Sequence, residues 1–349
     1  MSDFVMVLLG VLVFVVIFQI AKASEYVSVL KGEEKTRKQN NRINAFLLIS
    51  FLVIGLIGAW YCNELYYGKT LLPVGSSSVE GEAIDTMLWI TIAVTGLVFF
   101  ITQILLFWFA FKYQEKDGRK AFYFAHSTKL ELVWTTIPAI ALLILVVFGL
   151  RIWFKVTGDP PKDAIVVEVT GHQFAWDFRY PGADKMLGKK DYKKTTGKNN
   201  LGVDFDDPAS HDDIHVAGTL HLPVGVPVKM VINAQDVIHD VGLPQFRIKM
   251  DAVPGIPTTQ WFTPKYTTEE MKKRSGNPNY AYEISCDQMC GSGHFSMRAV
   301  IIVETMDEYK KWLAEQKPEY SSMVPAAAPA TDTAAAAKPV TAQLMPAKQ

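Results

Sequence analysis

Four long apolar stretches in the first half of the sequence constrain the fold most strongly. They cover residues 4–21, 45–60, 87–111 and 132–154. A helix needs about 20 such residues to cross a bilayer, and runs such as LLISFLVIGLIGAW carry no charge that could face water. We therefore predict four transmembrane helices rather than the buried helices of a soluble core, with one hairpin within residues 1–62 and a second within 87–154.

Basic residues are concentrated in two of the connections between these stretches. The first connection carries Lys22, Lys31, Lys35, Arg37, Lys38 and Arg42, and the third carries Lys112, Lys116, Arg119, Lys120 and Lys129. The second has Lys69 against Glu64, Glu80, Glu82 and Asp85. Because basic connections stay in the cytoplasm, we predict a multi-pass membrane protein. Both termini and everything after residue 154 would lie outside the cytoplasm.

The first apolar stretch has an alternative interpretation. Ala21-Lys22-Ala23 resembles the cleavage site of a secretory signal. The residues before the stretch include Asp3 and neither Lys nor Arg, whereas a signal begins with basic residues. A retained helix is therefore the favoured prediction.

The second half of the sequence has a different pattern. Short runs rich in β-branched residues are separated by Gly and Pro: AIVVEVT, HVAGTLHL, VPVKMVINA, FRIKM and RAVIIVE. This pattern is typical of an all-β sandwich or barrel, which we place at residues 163–305. The polar stretch between Pro181 and Pro208 predicts a long surface loop. Residues 306–349 are predicted to form one short helix, MDEYKKWLAEQK, and, from Pro318, a disordered Ala/Pro-rich tail.

Charge and cysteine content exclude two classes of protein. The 35 basic residues balance 35 acidic ones, so the chain lacks the basic surplus of a nucleic-acid-binding protein. Its three cysteines are too few for a scaffold held together by disulfides. The close pair Cys286 and Cys290 must therefore serve another purpose.

The segment CDQMCGSGHFSM places four metal-binding side chains in one loop between two predicted strands: Cys286, Cys290, His294 and Met297. His239, in DVIHDVGLP, is predicted to end an earlier strand where two sheet edges meet. Thiolates, imidazoles and a thioether form a soft ligand set that selects copper. Such a set can hold two coppers, with both sulfurs bridging the metals and one histidine on each. Met297 would be a weak axial ligand, and the whole arrangement suits electron transfer.

Other interpretations explain less of this pattern. A disulfide between Cys286 and Cys290 is compatible with an oxidising compartment, but it leaves the neighbouring His and Met without a role. A zinc site accepts Cys and His but not Met297, and chance does not account for the whole set. A second cluster, in the polar loop, is predicted to be solvated rather than metal-binding: His211, Asp212, Asp213 and His215.

Together with His239, the motif C-x3-C-x3-H-x2-M resembles the CuA site of cytochrome c oxidase subunit II. ELVWTTIPAI from Glu131, GHQFAWDFRY from Gly171 and DVIHDVGLPQFRIKMDAVPG are similar to further segments of that family, in the same order. The resemblance implies a membrane-anchored, cupredoxin-like Greek-key β-barrel on the periplasmic side of a bacterial plasma membrane. The hairpin at 87–154 would pack on subunit I, and the hairpin at 1–62 is additional to the family's usual two spans.

The resemblance also implies roles for individual residues. Gln288 would offer its backbone carbonyl to a binuclear CuA centre. Glu131 would form the entrance for proton uptake into subunit I, although an acid at a membrane boundary is commonly just solvated. Electron acceptance is implied at Phe174 and Trp176. The side-chain ligands of CuA would be His239, Cys286, Cys290, His294 and Met297.

The sequence departs from the family pattern at three points. Gln288 stands where the family usually has a Glu that binds magnesium at the interface with subunit I, and an amide lacks the charge that favours a hard cation. Phe174 replaces the Trp through which cytochrome c delivers its electron. Asp236 and Asp251 match acids that dock cytochrome c, but Gln235 weakens that cluster. Weakened steering suits a donor that is tethered, as in a supercomplex with a quinol-oxidising enzyme.

We therefore interpret the chain as the electron-accepting subunit II of a proton-pumping haem–copper cytochrome c oxidase. The implied partners are a subunit I with a-type haem and CuB, a subunit III and a cytochrome c donor. One alternative is the CuA subunit of a nitric-oxide or nitrous-oxide reductase, of which the hairpin ELVWTTIPAI disfavours the latter. Another is a non-enzymatic copper-binding membrane protein, which would need one exchangeable copper.

Overall fold

A computed structural model describes residues 3–323 of the chain, except for some side chains of the first helix. Four long helices come first: α1 (Asp3–Lys31), α2 (Glu33–Tyr66), α3 (Val79–Lys112) and α4 (Thr128–Thr157). Within the described residues, three segments are long and apolar enough to cross a membrane: Glu33–Lys69, Val79–Lys112 and Thr128–Thr157. They confirm three of the four predicted spans. The span predicted at 4–21 lies in α1, where part of the side chains are outside the described residues, and it stays a prediction.

The connection predicted between the first two spans is helical almost throughout. Only Gly32 separates α1 from α2, with a φ of 85°, a left-handed value that glycine adopts without steric penalty. The backbone N–H of Thr36 donates to the Gly32 carbonyl at 3.2 Å, and its side chain is buried. The basic residues of this connection therefore lie on the cytoplasmic ends of two helices rather than on a loop.

The outer domain, which we define as the described residues after α4, is built on ten strands: β1 (Ile165–His172), β2 (Ala175–Tyr180), β3 (Ile214–Ala217), β4 (Thr219–Pro223), β5 (Val228–Ala234), β6 (His239–Leu243), β7 (Ile248–Ala252), β8 (Thr258–Phe262), β9 (Tyr282–Cys286) and β10 (Arg298–Glu304). They form two sheets, with the orders β3-β2-β1-β5-β8 and β4-β10-β9-β6-β7. Short helices are α5 (Thr268–Ser275), α6 (Met306–Glu315) and α7 (Tyr320–Met323). This confirms the predicted fold class, membrane helices followed by an all-β sandwich.

Large apolar side chains fill the space between the two sheets. Trp176 and Phe178 from β2, Phe262 from β8 and Tyr282 from β9 are completely buried. Burying a side chain such as Phe contributes about 1.5–3 kcal/mol. The core therefore joins both sheets into one unit, from which the loops at one end extend.

The run HVAGTLHL, which we predict as one strand, forms two strands that belong to different sheets. β3 ends at Ala217, β4 begins at Thr219, and Gly218 between them has a φ of 75°. A left-handed residue turns the chain out of one sheet and into the other. Alternation of apolar side chains continues across this position, so the sequence pattern did not reveal the break.

Buried polar contacts attach the outer domain to the ends of α3 and α4. Glu80, in the first turn of α3, is buried. It accepts a hydrogen bond of 2.8 Å from the Thr263 backbone N–H and lies 3.6 Å from Lys155 Nζ of α4. Arg247 makes a two-point ion pair with Asp85, at 2.7 and 3.2 Å. These contacts fix the outer domain to both membrane helices.

The polar loop between β2 and β3 is anchored to the sandwich. Buried Arg179 donates to Glu168 and to Asp213, each at 2.7 Å. The prediction that the cluster in this loop is solvated is therefore wrong for Asp213, which is completely buried. It is also wrong for His215, which lies 2.8 Å from the buried carboxylate of Asp177. A buried guanidinium or carboxylate needs an opposite charge, and the loop folds back to supply it.

The start of the predicted tail is folded. The structure describes this tail as far as Met323, and residues 324–349 lie outside the described residues. The carboxylate of Glu319 lies 3.5 Å from His215 Nδ1, and the ring of Tyr320 stacks on His211 with 4.0 Å between centroids. Disorder from Pro318 onward is thus the wrong prediction for residues 318–323, because the polar loop offers them partners.

We expect this attachment of the tail to weaken in alkaline solution. Burial alone would lower the pKa of His215, but hydrogen bonds to Asp177 and Glu319 raise it from 6.5 to about 9. Since the pKa is raised in the folded state, the stabilisation is complete below pH 6.5 and is lost as the pH rises to about 9. Hydrogen exchange in residues 318–323, corrected for intrinsic rates, should accelerate across that range.

A pair of variants tests the cause of this effect. Glu319→Gln removes the carboxylate beside His215 and should accelerate exchange in residues 318–323 already at neutral pH. Glu315→Gln changes an exposed acid of α6 and should leave exchange unaltered. Equal protection in both variants would show that the ion pair does not hold the tail.

Candidate metal centre

Two strands of one sheet bring the predicted copper ligands together. β6 pairs with β9 so that Val241 lies opposite Cys286, which places His239 beside the end of β9. The loop from β9 to β10 carries the remaining ligands. His239 begins β6 rather than ending an earlier strand, so that part of the prediction is wrong.

The two cysteines are close neighbours but not bonded to each other. Their Sγ atoms are 3.8 Å apart, whereas a disulfide bond is about 2.05 Å long, and both thiols are free and buried. His239, Cys286 and Cys290 place their ligand atoms within 4.8 Å of one another. The arrangement is that of a metal-binding cluster, and the disulfide interpretation is not supported.

Each thiol has an imidazole of its own. Nδ1 of His239 lies 3.8 Å from Cys286 Sγ, and Nδ1 of His294 lies 3.7 Å from Cys290 Sγ. The Met297 thioether, completely buried, is 3.8 Å from Cys290 Sγ. All five predicted side-chain ligands therefore surround one small space.

The backbone of Gln288 also reaches this space. Its carbonyl oxygen lies 3.1 Å from Cys286 Sγ, whereas its side chain is exposed. The chain bends between the two cysteines so that this carbonyl turns inward and the amide turns outward. Backbone and side chain of this residue are thus available to different partners.

The electrostatics of the thiol pair favour a bound cation. Burial and the neighbouring Cys286 raise the pKa of the Cys290 thiol to about 11. Two thiolates so close together are stable only if positive charge lies between them, and a coordinated metal supplies that charge. Sulfur and imidazole donors in a buried, apolar site fit copper, so the residues present fit the metal that the ligand set predicts.

Asp236 orients the histidine that lies deepest in the site. Its carboxylate is 2.8 Å from His239 Nε2, which leaves Nδ1 directed at the sulfurs. Partial burial opposes ionisation of Asp236, but hydrogen bonds from the backbone of Gln173 and from His239 lower its pKa below the usual value. A carboxylate behind a ligand histidine fixes the ring and its tautomer. The sequence indicated Asp236 only as a docking acid, and its position three residues before His239 was the available signal.

The turn between β1 and β2 closes the site from the other sheet. The backbone N–H of Gln173 donates to Asp236 at 2.7 Å, and its side-chain amide donates to the Cys290 carbonyl at 2.6 Å. The ring of Phe174 fills the space over Gly293, where an added Cβ would lie 2.5 Å from it. Gln173 therefore links both ligand segments, a role that the sequence did not predict.

The two aromatic residues predicted for electron acceptance have different environments. Phe174 is half-buried. Trp176 is completely buried, and its ring is inclined at 64° to that of His239, with 6.0 Å between centroids. A direct contact of Trp176 with a donor protein is therefore excluded. Any part it takes in electron transfer would be through the protein interior.

Glu131 is remote from the cluster of sulfurs. It lies in the first turn of α4, on the cytoplasmic side, and its side chain is exposed. Its role in proton uptake remains a prediction.

A buried carboxylate, Asp240, was not predicted. It follows His239 in β6, lies opposite Asp251 of β7 and has one side-chain oxygen without a hydrogen-bond partner in the described part of the chain. Burial, together with Asp251, raises the pKa of Asp240 to about 7. Asp240 therefore adds a buried carboxyl group next to Asp251, the acid that the sequence assigned to donor docking.

Comparisons with known proteins agree with this geometry. The family model of the periplasmic domain of cytochrome c oxidase subunit II matches residues 165–305, and that of its transmembrane domain matches residues 69–152. The alternative cytochrome c oxidase subunit 2 of Bradyrhizobium diazoefficiens is 36% identical over 235 residues, which cover 67% of this chain and 80% of the relative. Cytochrome c oxidase subunit 2 of Cereibacter sphaeroides is 27% identical over 252 residues, covering 68% and 78% respectively.

A solved structure is also similar. It is the periplasmic domain of subunit II of cytochrome oxidase from Bradyrhizobium japonicum, which is 25% identical, covers 46% of this chain and 99% of its own, and has a TM-score of 0.32. A TM-score this low carries no weight of its own.

The fold and the site define a membrane-anchored protein whose outer β-sandwich binds copper through cysteine and histidine. The family matches cover both the helical hairpin and the sandwich. The chain belongs to the cytochrome c oxidase subunit II family. It is a subunit of a membrane-bound oxidoreductase complex, with its copper domain on the periplasmic side, and the alternative classes are not favoured.

Substitution of Gly171 should disturb the copper site without touching a ligand. A Cβ at Gly171 would lie 3.0 Å from His239 Cδ2 and 3.0 Å from Trp176 Cζ3, and both rings are completely buried. Overpacking of this kind costs about 1–3 kcal/mol. We expect Gly171→Ala to lower both the copper content and the melting temperature of the purified oxidase.

Gly197→Ala is the matched control, because an added Cβ there has no atom within 4 Å. It should retain the copper content of the unmodified chain. If Gly171→Ala binds copper as well as Gly197→Ala does, the His239 ring has more freedom than its packing indicates.

Proposed function

We propose that this subunit holds a binuclear CuA centre, accepts electrons from a cytochrome c and passes them to the haem–copper site of subunit I. One observation carries the proposal: two thiols 3.8 Å apart, each with its own imidazole at 3.7 or 3.8 Å. A single copper would use one of these pairs and leave the other buried without a role. Two coppers use both.

When bound, the centre supplies a one-electron couple in which the charge change is spread over two metals. The contribution of the chain is to keep the ligands in place in both oxidation states. Asp236 holds the His239 ring from behind at 2.8 Å, and Gln173 fixes the loop at the Cys290 carbonyl. His239 and Cys286 lie on the paired strands β6 and β9, and ligands on strands are held more rigidly than ligands on loops. Little movement, and hence a low barrier, accompanies each electron.

Magnesium at the interface with subunit I is a further part of the proposal. Gln288 offers an exposed amide oxygen, a neutral ligand for a hard cation. Because the charge of the usual Glu is missing, we expect weak occupancy. Electron paramagnetic resonance of Mn²⁺ added to the intact oxidase measures it, and a tightly bound ion would contradict the expectation.

The proposed partners follow from membership of the family. Subunit I, with a-type haem and CuB, would pack on the hairpin of α3 and α4, and subunit III would complete the complex. Glu131 lies exposed at the cytoplasmic end of α4, where a proton-uptake route into subunit I could begin. Unchanged proton uptake in Glu131→Gln would remove it from that route.

Electron paramagnetic resonance tests the number of coppers. In the intact oxidase, the oxidised centre should show hyperfine splitting from two equivalent copper nuclei. Cys290→Ser removes one bridging sulfur and should abolish this signal together with electron transfer from cytochrome c. Cys62→Ser, which changes the exposed cysteine at the end of α2, should preserve both.

A signal from one ordinary type-2 copper in the unmodified subunit would contradict the binuclear centre. It would favour the alternative of a copper-binding membrane protein with a single exchangeable ion.

The electron donor is proposed to be tethered, since the docking acids are sparse. Gln235 interrupts the acidic cluster, and Asp236 is engaged by His239 and by two backbone N–H groups. Steering of a diffusing donor depends on charge and is screened by salt. Turnover of the complex with its native donor should therefore change little between low and physiological ionic strength. A steep fall in turnover would indicate a freely diffusing cytochrome c.

A further inference from the structure

A cavity of about 700 Å³ lies between the cytoplasmic ends of α2 and α3. Its polar wall carries Lys38 and Arg42 from α2, and Lys112 and Lys116 from the end of α3 and the turn after it. Aromatic rings, among them Trp108, close its membrane side. The cavity therefore places cationic side chains at the boundary of the bilayer.

Positive charge exceeds negative charge in this cavity. Of the acids that line it, Asp117 is paired with Lys38, and Glu115 lies 3.4 Å from Arg37. Arg42, Lys112 and Lys116 have no ion pair within residues 3–323. These three cations can therefore bind an anion without first breaking a contact with a carboxylate.

A second, separate groove lies deeper in the span between the same two helices, from the level of Phe51 and Phe107 onward. It has a volume of about 530 Å³, is lined mainly by apolar residues of the same two helices and passes Gly55, where an added side chain would have no neighbour within 4 Å. Two aromatic pairs lie between the helices along this route, with ring centroids 5.3 and 6.0 Å apart: Phe46–Phe111 and Phe51–Phe107. A basic end followed by an apolar groove has the shape and polarity of a phospholipid.

We propose that α2 and α3 bind an anionic phospholipid of the cytoplasmic leaflet. Arg42, Lys112 and Lys116 contact its phosphate, and one acyl chain lies in the groove beside Gly55. Basic pockets between helices on the cytoplasmic side suit anionic headgroups, and this leaflet supplies them. A helix of a neighbouring subunit would fill the groove but would leave the three cations unpaired.

The cavity joins α2 to the family's own transmembrane domain. The match to that domain begins at residue 69, so α2 lies outside it, and α2 contributes Lys38, Arg42 and Phe46 to the cavity. The lipid would contact the added hairpin and the family's own helix together. It would thus strengthen the attachment of α1 and α2 to the rest of the subunit.

Native mass spectrometry of the full chain in detergent tests the proposal. The chain should retain phosphatidylglycerol in preference to phosphatidylcholine. The triple variant Arg42→Gln, Lys112→Gln, Lys116→Gln should bind phosphatidylglycerol roughly 100-fold more weakly, because each basic residue near an anionic headgroup contributes about a factor of five. The control Lys31→Gln, Lys35→Gln, Lys129→Gln removes equal charge from the same side of the membrane and should bind normally. Unchanged copper content shows that each variant folds.

Three results would overturn the proposal. Equal retention of both lipids, or equal loss in both triple variants, would show that the cavity does not select a phosphate-bearing anionic headgroup. Displacement of phosphatidylglycerol by inorganic phosphate alone would indicate a site for a soluble anion.

The groove is tested separately. Gly55→Leu adds bulk without charge and should weaken phosphatidylglycerol binding, whereas unaltered binding would exclude the acyl chain from this groove. In the intact oxidase, p-benzoylphenylalanine at position 52, which lines the groove, should cross-link to lipid. A cross-link to another oxidase subunit would identify a protein helix as the occupant and would refute the lipid assignment.

Discussion

The Sγ atoms of Cys286 and Cys290 lie 3.8 Å apart in a space almost closed to water, and two thiolates so close together are stable only with positive charge beside them. Much of the sandwich is arranged around this constraint. β6 begins at a ligand, β9 ends at one, and the turn between β1 and β2 donates hydrogen bonds to both ligand segments. A metal with soft-ligand preference relieves the thiol pair, so folding and metal binding at this site are thermodynamically linked.

The same strand connects the copper site to the membrane. β6 runs from His239 to Leu243, and the turn that follows contacts the cap of α3. There Ser78 Oγ donates to the Phe246 carbonyl at 2.6 Å, and the Ser77 backbone N–H donates to the Gln245 carbonyl at 2.8 Å. A metal ligand and a membrane helix are thus separated by one short strand and one turn. Electron transfer to a neighbouring subunit needs a fixed distance, and this direct connection provides it.

The sequence predicts those features of the molecule that adjacent residues determine, and not those that depend on residues distant in sequence. Four ligands lie within one segment, from Cys286 to Met297, and three spans are uninterrupted apolar runs, so both could be predicted from adjacent residues. The crossing at Gly218, the burial of Trp176 and the partners of His215 depend on residues distant in sequence. Alternating side chains look the same on either side of Gly218, and a polar loop gives no sign of the buried Arg179 that draws Asp213 inward. The features that the sequence did not predict depend on contacts between residues distant in sequence. The exception is the role of Asp236, which its position three residues before His239 could have indicated.

The added N-terminal hairpin is attached by charges as well as by apolar packing. Lys38 pairs with Asp117, and Arg37 with Glu115, so α2 is held against the turn that follows α3. Those pairs neutralise only part of the positive charge there. Arg42, Lys112 and Lys116 converge on one cavity, where like charges repel unless an anion lies between them. The contact between α2 and the turn after α3 therefore also brings together three cations that a bound anion would stabilise. Because the cytoplasmic leaflet supplies anionic headgroups at this level, the proposed lipid makes the seating of α1 and α2 depend on membrane composition as well as on the chain.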